Sequence, residues 1–387
     1  MSKRFQVQLL NGQLRNTIPN GPAGQPNGNT PYILNAFVGD SNAAGLGALW
    51  DDSLVTRLPS SARAEVGGAP NYQVNGAYIG NNWTRAEVQQ GFGFNERNKL
   101  MFGGAFNQMS NDLGNNTDSG TAGPSGGPTT IDPLWSLAAC NQQFYRNNLS
   151  PAGAADFRST SGLGFGGAFY IKHAISGGQI GRTVRQRRYV DGSYVDPGDA
   201  TSTPARPERF AVAPEFQDVD TVASFHPDAD ASTDTLYERL RDNIVYSRNL
   251  VTDSGLTLQG QRAYFDCLYI NFFSASGKHL GGAQMFSDFL AFYNRLSTNI
   301  GLPAGAVPNM VIARPQIGAF EPERVAAHRE AFRRITAKFS HVAFVDLNDL
   351  AMNGKNHFTA ESYVEMGRRM AVARQSLPTS TLYEISI

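Results

Sequence analysis

The sequence predicts a three-layer α/β/α protein built on a parallel sheet, and three observations carry that prediction. Apolar runs of strand length alternate with amphipathic helical segments through the second half of the chain, the pattern of a parallel sheet covered on both faces. An apolar run, Leu34–Val38, ends directly in a Gly39-Asp40-Ser41 turn. A second apolar run, 167–175, reads as another buried strand. A chain of 387 residues could hold two domains on length alone, but single α/β domains with insertions reach this size.

Taken in order, residues 1–30 form an arm. Phe5–Leu14 could make one short strand, and Asn16–Thr30 is rich in Pro, Gly and Asn and cannot bury a core. Such an arm gains order by lying against its own domain or a neighbouring subunit, so homo-oligomer or virion partner chains are expected to meet it. Residues 31–387 are expected to form one domain. Gly91–Phe94 and the stretch 110–130 are turn-rich insertions. Leu134–Tyr145 reads as helix. The region 185–215 reads as an insertion projecting from the sheet: Tyr189–Val195 carries Asp191-Gly192 as a hairpin turn, and a Pro-rich stretch follows.

The C-terminal half is regular. Tyr264–Phe273, Met310–Ala313 and Val342–Leu347 read as strands. Ala283–Ile300 is a helix with Phe286, Phe289, Leu290, Tyr293 and Leu296 at helical spacing. Glu323–Phe339 sets Val325, Phe332, Ile335 and Phe339 on one face, and Thr359–Arg374 is the last helix. In open sheets of this kind the site lies at the carboxyl ends of the strands, where Gly39-Asp40-Ser41 falls.

Lys plus Arg equals Asp plus Glu, 33 each, so net charge argues for neither nucleic acid nor an anionic membrane surface. No apolar run is long enough to cross a membrane, and Met1–Phe5 lacks an apolar signal core, which argues against Sec-type export. Cys140 and Cys267 form neither a disulfide framework nor a metal spacing, and both are expected reduced in the interior. The abundance of Gly and Asn, with only 17% charged residues, suits a loop-rich extracellular or virion-associated protein better than an average cytosolic enzyme.

Two distant segments carry the chemistry. Ser41 follows a strand, and Asn356-His357-Phe358-Thr359-Ala360-Glu361 sets a histidine just before a helix start. A serine hydroxyl is inert until a base within hydrogen-bond reach takes its proton. By themselves, Asp40, Ser41 or Asn42 could equally cap a helix, and His357 could be a packed loop residue. His173, inside an apolar strand, reads as a core histidine. Together, Gly39-Asp40-Ser41 and the late His357 block resemble the SGNH (GDSL-type) hydrolases. The run Gly39-Asp40-Ser41-Asn42-Ala43-Ala44-Gly45 looks most like their carbohydrate-esterase and sialate O-acetylesterase branch.

That resemblance implies a flavodoxin-like parallel sheet, a nucleophile at Ser41, a general base at His357, and neither metal nor cofactor. The family pattern places an Asp three residues before the base. Here that position is Gly354, with Asn353 beside it, so Asn353, or else Asp349, becomes the candidate to orient the imidazole. Oxyanion donors implied by the family are the Ser41 backbone N–H, Gly177 or secondarily Gly178 from Ser176-Gly177-Gly178, and a polar residue in Asn271–Ser276, with Asn271 first. Loss of one such donor typically costs about 2.7–4 kcal/mol of transition-state stabilisation. The expected activity is serine esterase chemistry removing O-acetyl groups from a polysaccharide or glycan. Aromatic residues in the insertions (Trp83, Phe92, Phe94, Trp135, Tyr189, Tyr194) would offer sugar-stacking faces. The competing expectation is a structural or glycan-binding virion protein, on a phage tail or capsid surface, with a weakened site.

Overall fold

The computed structural model describes residues 32–45, 48–64, 66, 74–79, 105–109, 131–148, 168–174, 178–182, 184–187, 189–190, 193–194, 216–219, 224–229, 235–246, 251–252, 263–276, 280–316, 322–354, 357–378 and 383–385. The expected arm 1–30, the 110–130 insertion, Gly91–Phe94 and the Pro-rich stretch 197–214 lie outside these residues. The described strands are β1 (Tyr32–Gly39), β2 (Val74–Ile79), β3 (Ala105–Met109), β4 (Ala168–Ala174), β5 (Val184–Arg187), β6 (Tyr189–Val190), β7 (Ser193–Tyr194) and β8 (Phe216–Val219). They continue with β9 (Val251–Thr252), β10 (Ala263–Asn271), β11 (Asn309–Ala313), β12 (Val342–Val345), β13 (Met352–Asn353), β14 (His357–Phe358) and β15 (Tyr383–Glu384). The α-helices are α1 (Ser41–Ala44), α2 (Ser60–Arg63), α3 (Pro133–Asn148), α4 (Leu236–Tyr246), α5 (Phe273–Ser276), α6 (Gly282–Asn299), α7 (Pro322–Lys338) and α8 (Ala360–Gln375).

The main sheet runs β12-β11-β10-β1-β4-β2-β3-β9, with β15 against β10. Every neighbouring pair from β12 to β2 is parallel, and β3 and β15 join antiparallel. Ile33 to Asp40 are all buried, and β1 is apolar on both faces because both are covered. Leu34, Ala36 and Val38 join Leu268, Ile270, Met310 and Ile312 under α4, α6 and α7. Ile33 and Phe37 join Tyr269, Val311 and Ala313 under α3 and α8. The result is a three-layer α/β/α architecture, as the alternation predicts.

Aromatic side chains fasten α6 and α7 to the sheet. Phe289, Phe292 and Phe332 pack against Phe272 and Phe273 at centroid distances of 5.1–5.9 Å. Burial of each such ring contributes about 1.5–3 kcal/mol, so these two helices need no help from propensity to stay in place. Across the sheet, α3 and α8 touch so closely that a Cβ on Gly367 would lie 2.0 Å from the Pro133 carbonyl oxygen.

The strand predicted to run to Phe273 ends at Asn271, because Phe273 already opens α5. The register of β1 against β10 shifts between Leu34 and Asn35, leaving Asp266 as the extra residue. Asp266 then meets Arg374 Nε and Nη2 at 2.8 and 2.5 Å and the Tyr145 hydroxyl at 2.7 Å. β5, at the start of the 185–215 region, pairs antiparallel with β8, which follows that region. The predicted Tyr189–Val195 hairpin is present as β6–β7, with Val190 opposite Ser193.

Candidate active site

β4 and β2 lie on one side of β1, and β10, β11 and β12 on the other. Strand order therefore reverses at β1, and the crevice outside a carboxyl end at such a reversal is where open α/β sheets bind ligands. Ser41 is the first residue of α1, immediately past that end. Asp40 takes the N-cap: its side chain accepts the Asn42 N–H at 3.0 Å, and its own N–H donates to the Asn271 carbonyl at 2.9 Å. The cap that could have claimed Ser41 is thus filled by its neighbour. Ser41 is half-buried, and its N–H, at the first helical position, has no partner within the helix.

Gly39 is required by this turn. A Cβ there would lie 2.3 Å from the Ala43 Cβ and 2.6 Å from the Asn271 carbonyl oxygen. Gly45 ends the helix at φ +80°, against the Ile131 carbonyl. Asp132, next in line, caps α3 through the Leu134 N–H at 2.7 Å and pairs with Lys172 of β4 at 2.5 Å, both side chains fully buried. Asn42 is held from the far end of the chain by the Tyr363 hydroxyl, which donates to its Oδ1 at 3.2 Å. Burial raises the Tyr363 pKa, so that hydroxyl keeps its proton. The structural part played by Asn42, Asp132 and Lys172 was not read from the sequence. Lys172 inside an apolar strand, where a lone buried ammonium is costly, was the signal for a buried partner.

His357 opens β14, and Cα atoms of β14 and α1 approach within 8 Å. No direct hydrogen bond joins the Ser41 and His357 side chains. β13 and β14 form a hairpin in which Asn353 stands directly opposite His357, turned through Gly354 at φ +75°. Facing residues in such a pair have Cβ atoms about 4.5–5.5 Å apart, so the Asn353 amide is within reach of the imidazole. Asp349 is placed differently. Its carboxylate receives Arg369 Nη1 and Nη2 at 2.6 Å each, and that guanidinium holds its pKa down to about 2. Asp346 accepts the Asn348 backbone and side-chain N–H groups. Of the two expected orienting groups, Asn353 is the one the hairpin brings to His357, and Asp349 is committed to Arg369.

Asn271 ends β10 in register with Gly39 and is buried. Its amide nitrogen lies 3.4 Å from the Met366 sulfur on α8, a weak acceptor. Gly178 is buried just beyond β4 and next to Gln179, which bridges to Ser224; Gly177 lies outside the described residues. Ser41, Gly178 and Asn271 thus follow or end three adjacent strands at one edge of the sheet. His173 is buried within β4. Trp135, expected among sugar-stacking aromatics, is instead a core residue, fully buried and edge-on to Trp50 at 5.0 Å. Trp83, Phe92 and Phe94 lie outside the described residues. Among the described residues no group of three or more His, Cys, Asp or Glu could hold a metal, and no helix is long and apolar enough to cross a membrane. Both cysteines are free, and burial pushes the Cys140 thiol up to about 12.

No protein-family model matches the chain, and no curated protein sequence matches it. Solved structures similar to it include an Arabidopsis thaliana protein, 12% identical with a TM-score of 0.46, covering 89% of this chain and 98% of that one. NanS is 8% identical with a TM-score of 0.44, covering 89% of this chain and 97% of its own. Est24, a carbohydrate acetylesterase from Sinorhizobium meliloti, is 13% identical with a TM-score of 0.27, covering 64% and 87% respectively.

Proposed function

We propose that the chain is a serine esterase that removes O-acetyl groups from a polysaccharide or glycan. The observation that carries this reading is the convergence at the strand-order reversal: Ser41 starts α1 just past β1, beside a hairpin that sets His357 opposite Asn353. Ser41 Oγ attacks the acetyl carbonyl as His357 takes its proton. The Ser41 N–H, with Gly177 or Gly178 and Asn271, receives the developing oxyanion. His357 then protonates the departing sugar oxygen, and water, deprotonated by the same imidazole, releases acetate from Ser41. Asn353 orients the ring through its side-chain oxygen but adds no negative charge, so the imidazolium is less stabilised than beside a carboxylate.

That missing charge favours the second reading, a glycan-binding or structural virion protein with a weakened site. A fluorophosphonate probe separates the two. Labelling of wild type but not of Ser41→Ala, with p-nitrophenyl acetate hydrolysis lost in the same variant, is expected for the esterase. Equal background rates in both proteins would leave the scaffold reading.

A further inference from the structure

Past the carboxyl ends of β10, β1 and β4, one side-chain oxygen joins segments that the sheet keeps apart. Ser276, the last residue of α5, is fully buried. Its Oγ donates to the Phe272 carbonyl at 2.9 Å and accepts the Ile180 N–H at 3.0 Å. Phe272 follows Asn271, the end of β10, and Ile180 lies two residues past Gly178, beyond β4. β1 runs between those two strands, so their ends stand about 10 Å apart at ordinary strand spacing. The hydroxyl therefore bridges the strand that leads into Ser41.

The connection continues to the nucleophile turn, where the Asp40 N–H donates to the Asn271 carbonyl at 2.9 Å. Hydrogen bonds and short lengths of backbone thus link Ser41, Asn271 and Gly178, three of the groups offered above as oxyanion donors. The 178–182 stretch is gripped from its other side as well. The Phe225 N–H donates to the Gln179 carbonyl at 2.8 Å. The Ser224 hydroxyl donates to the Gly181 carbonyl at 2.7 Å and accepts the His226 N–H at 2.9 Å. A buried backbone N–H left without a partner is costly. Serving the Ile180 N–H and the Phe272 carbonyl from one atom takes a group that both donates and accepts, which a hydroxyl does.

Oxyanion donors act by being fixed before charge develops, and a misplacement of about 1 Å can cost on the order of 10²-fold in rate. We propose that Ser276 is a positioning residue for the esterase reaction, its hydroxyl setting the separation of the Asn271 and Gly178 donors across the nucleophile strand. The proposal rests on the esterase reading of Ser41 and His357, and Ser276 acts through the donors rather than on the substrate.

The test compares wild type with Ser276→Ala, Ser276→Thr and Ser276→Cys in the full chain, using p-nitrophenyl acetate and phenylboronic acid. Boron takes up Ser41 Oγ and becomes a tetrahedral anion as the serine proton passes to His357, so the boronate reads the oxyanion donors directly. Ser276→Ala should lower kcat roughly ten- to a hundredfold with KM little changed, and weaken phenylboronic acid by a similar factor. Ser276→Thr keeps the hydroxyl, whose bond to a carbonyl one helical turn back is an ordinary threonine geometry, and should restore both. Should Ser276→Ala fail to fold, Ser276→Cys, a weaker donor and acceptor at the same atom, should show the same paired loss at smaller size. A urea midpoint that falls while kcat and boronate affinity hold at wild-type values would make Ser276 a packing residue and overturn the proposal. So would a loss of kcat with boronate affinity unchanged. Failure of the esterase reading looks different: wild type itself would neither take the fluorophosphonate at Ser41 nor bind the boronate.

Discussion

At the scale of single residues, Asn353 and Asp288 carry the sharpest consequences. Asn353→Asp would put a carboxylate opposite His357 and should raise p-nitrophenyl acetate turnover roughly tenfold. That is far below the 10⁴-fold effect of a template acid, because Asn353 is exposed and water screens the new charge. An unchanged rate would show that Asn353 does not reach the ring. Asp288 on α6 is a pH probe of a different kind. Burial pushes its pKa up to about 6, against a hydrogen bond from Gln284, with the His226 imidazole 3.6 Å away. The folded protein then holds this proton more tightly than the unfolded chain, so the contribution of Asp288 to stability declines as pH rises from about 4 to about 6. Burial lowers the His226 pKa, a slope of opposite sign. Comparison with Asp288→Asn isolates the carboxyl: denaturant melts should show the variant gaining on wild type by on the order of 2 kcal/mol across that window.

At the scale of elements, α3 and α8 pack with their backbones in close approach at Gly367. Gly367→Ala would place its Cβ 2.0 Å from a backbone oxygen and 2.8 Å from the Leu137 nitrogen, neither of which can swing aside. The helices must separate, at about 1–3 kcal/mol of stability by the usual cost of overpacking. Because α8 begins three residues after His357, esterase activity should fall further than stability alone explains; a urea midpoint measured beside kcat tests both. These long elements were legible: β1, β4, α6, α7 and α8 fall within two residues of their predicted ends, and α3 runs three residues past its predicted end. Their apolar periods span enough residues to outvote any one exception. Of the two-residue strands, β6 and β7 were legible from the Asp191-Gly192 turn signal, but β9, β13, β14 and β15 were not, since two residues show no alternation. The β13–β14 hairpin nonetheless announced itself through Asn353-Gly354, a turn dipeptide that resemblance to a catalytic block obscured. Helix α4 was missed despite Thr235-x-x-Glu238, a capping box in which Thr235 and Glu238 exchange hydrogen bonds of 2.9 and 3.1 Å.

At the scale of the whole molecule, one buried ion pair ties the layers together. Arg374 of α8 meets Asp266 of β10, with both side chains fully buried. Burial works against the guanidinium charge, but Asp266 outweighs it and the net shift of the Arg374 pKa is upward. Arg374→Met would strand the Asp266 charge and should cost about 3–5 kcal/mol. Adding Asp266→Leu should recover much of that loss in the same denaturation assay, since an apolar pair replaces an ionic one at little cost. No spacing rule links residues this far apart in the chain, and the pair depends on the register shift at Asn35, so neither partner was visible in the sequence.

The place of β1 in the sheet also sets a schedule. The strand is made early, yet its two edges belong to residues 168–174 and 263–271. At about 5–20 residues per second, a growing chain carries this apolar ribbon with one edge unclaimed for roughly 10–50 s. Throughout that interval it offers other nascent chains a template for intermolecular pairing. A ribosome-bound chaperone, or slow dilute expression, would guard the strand until its second neighbour emerges.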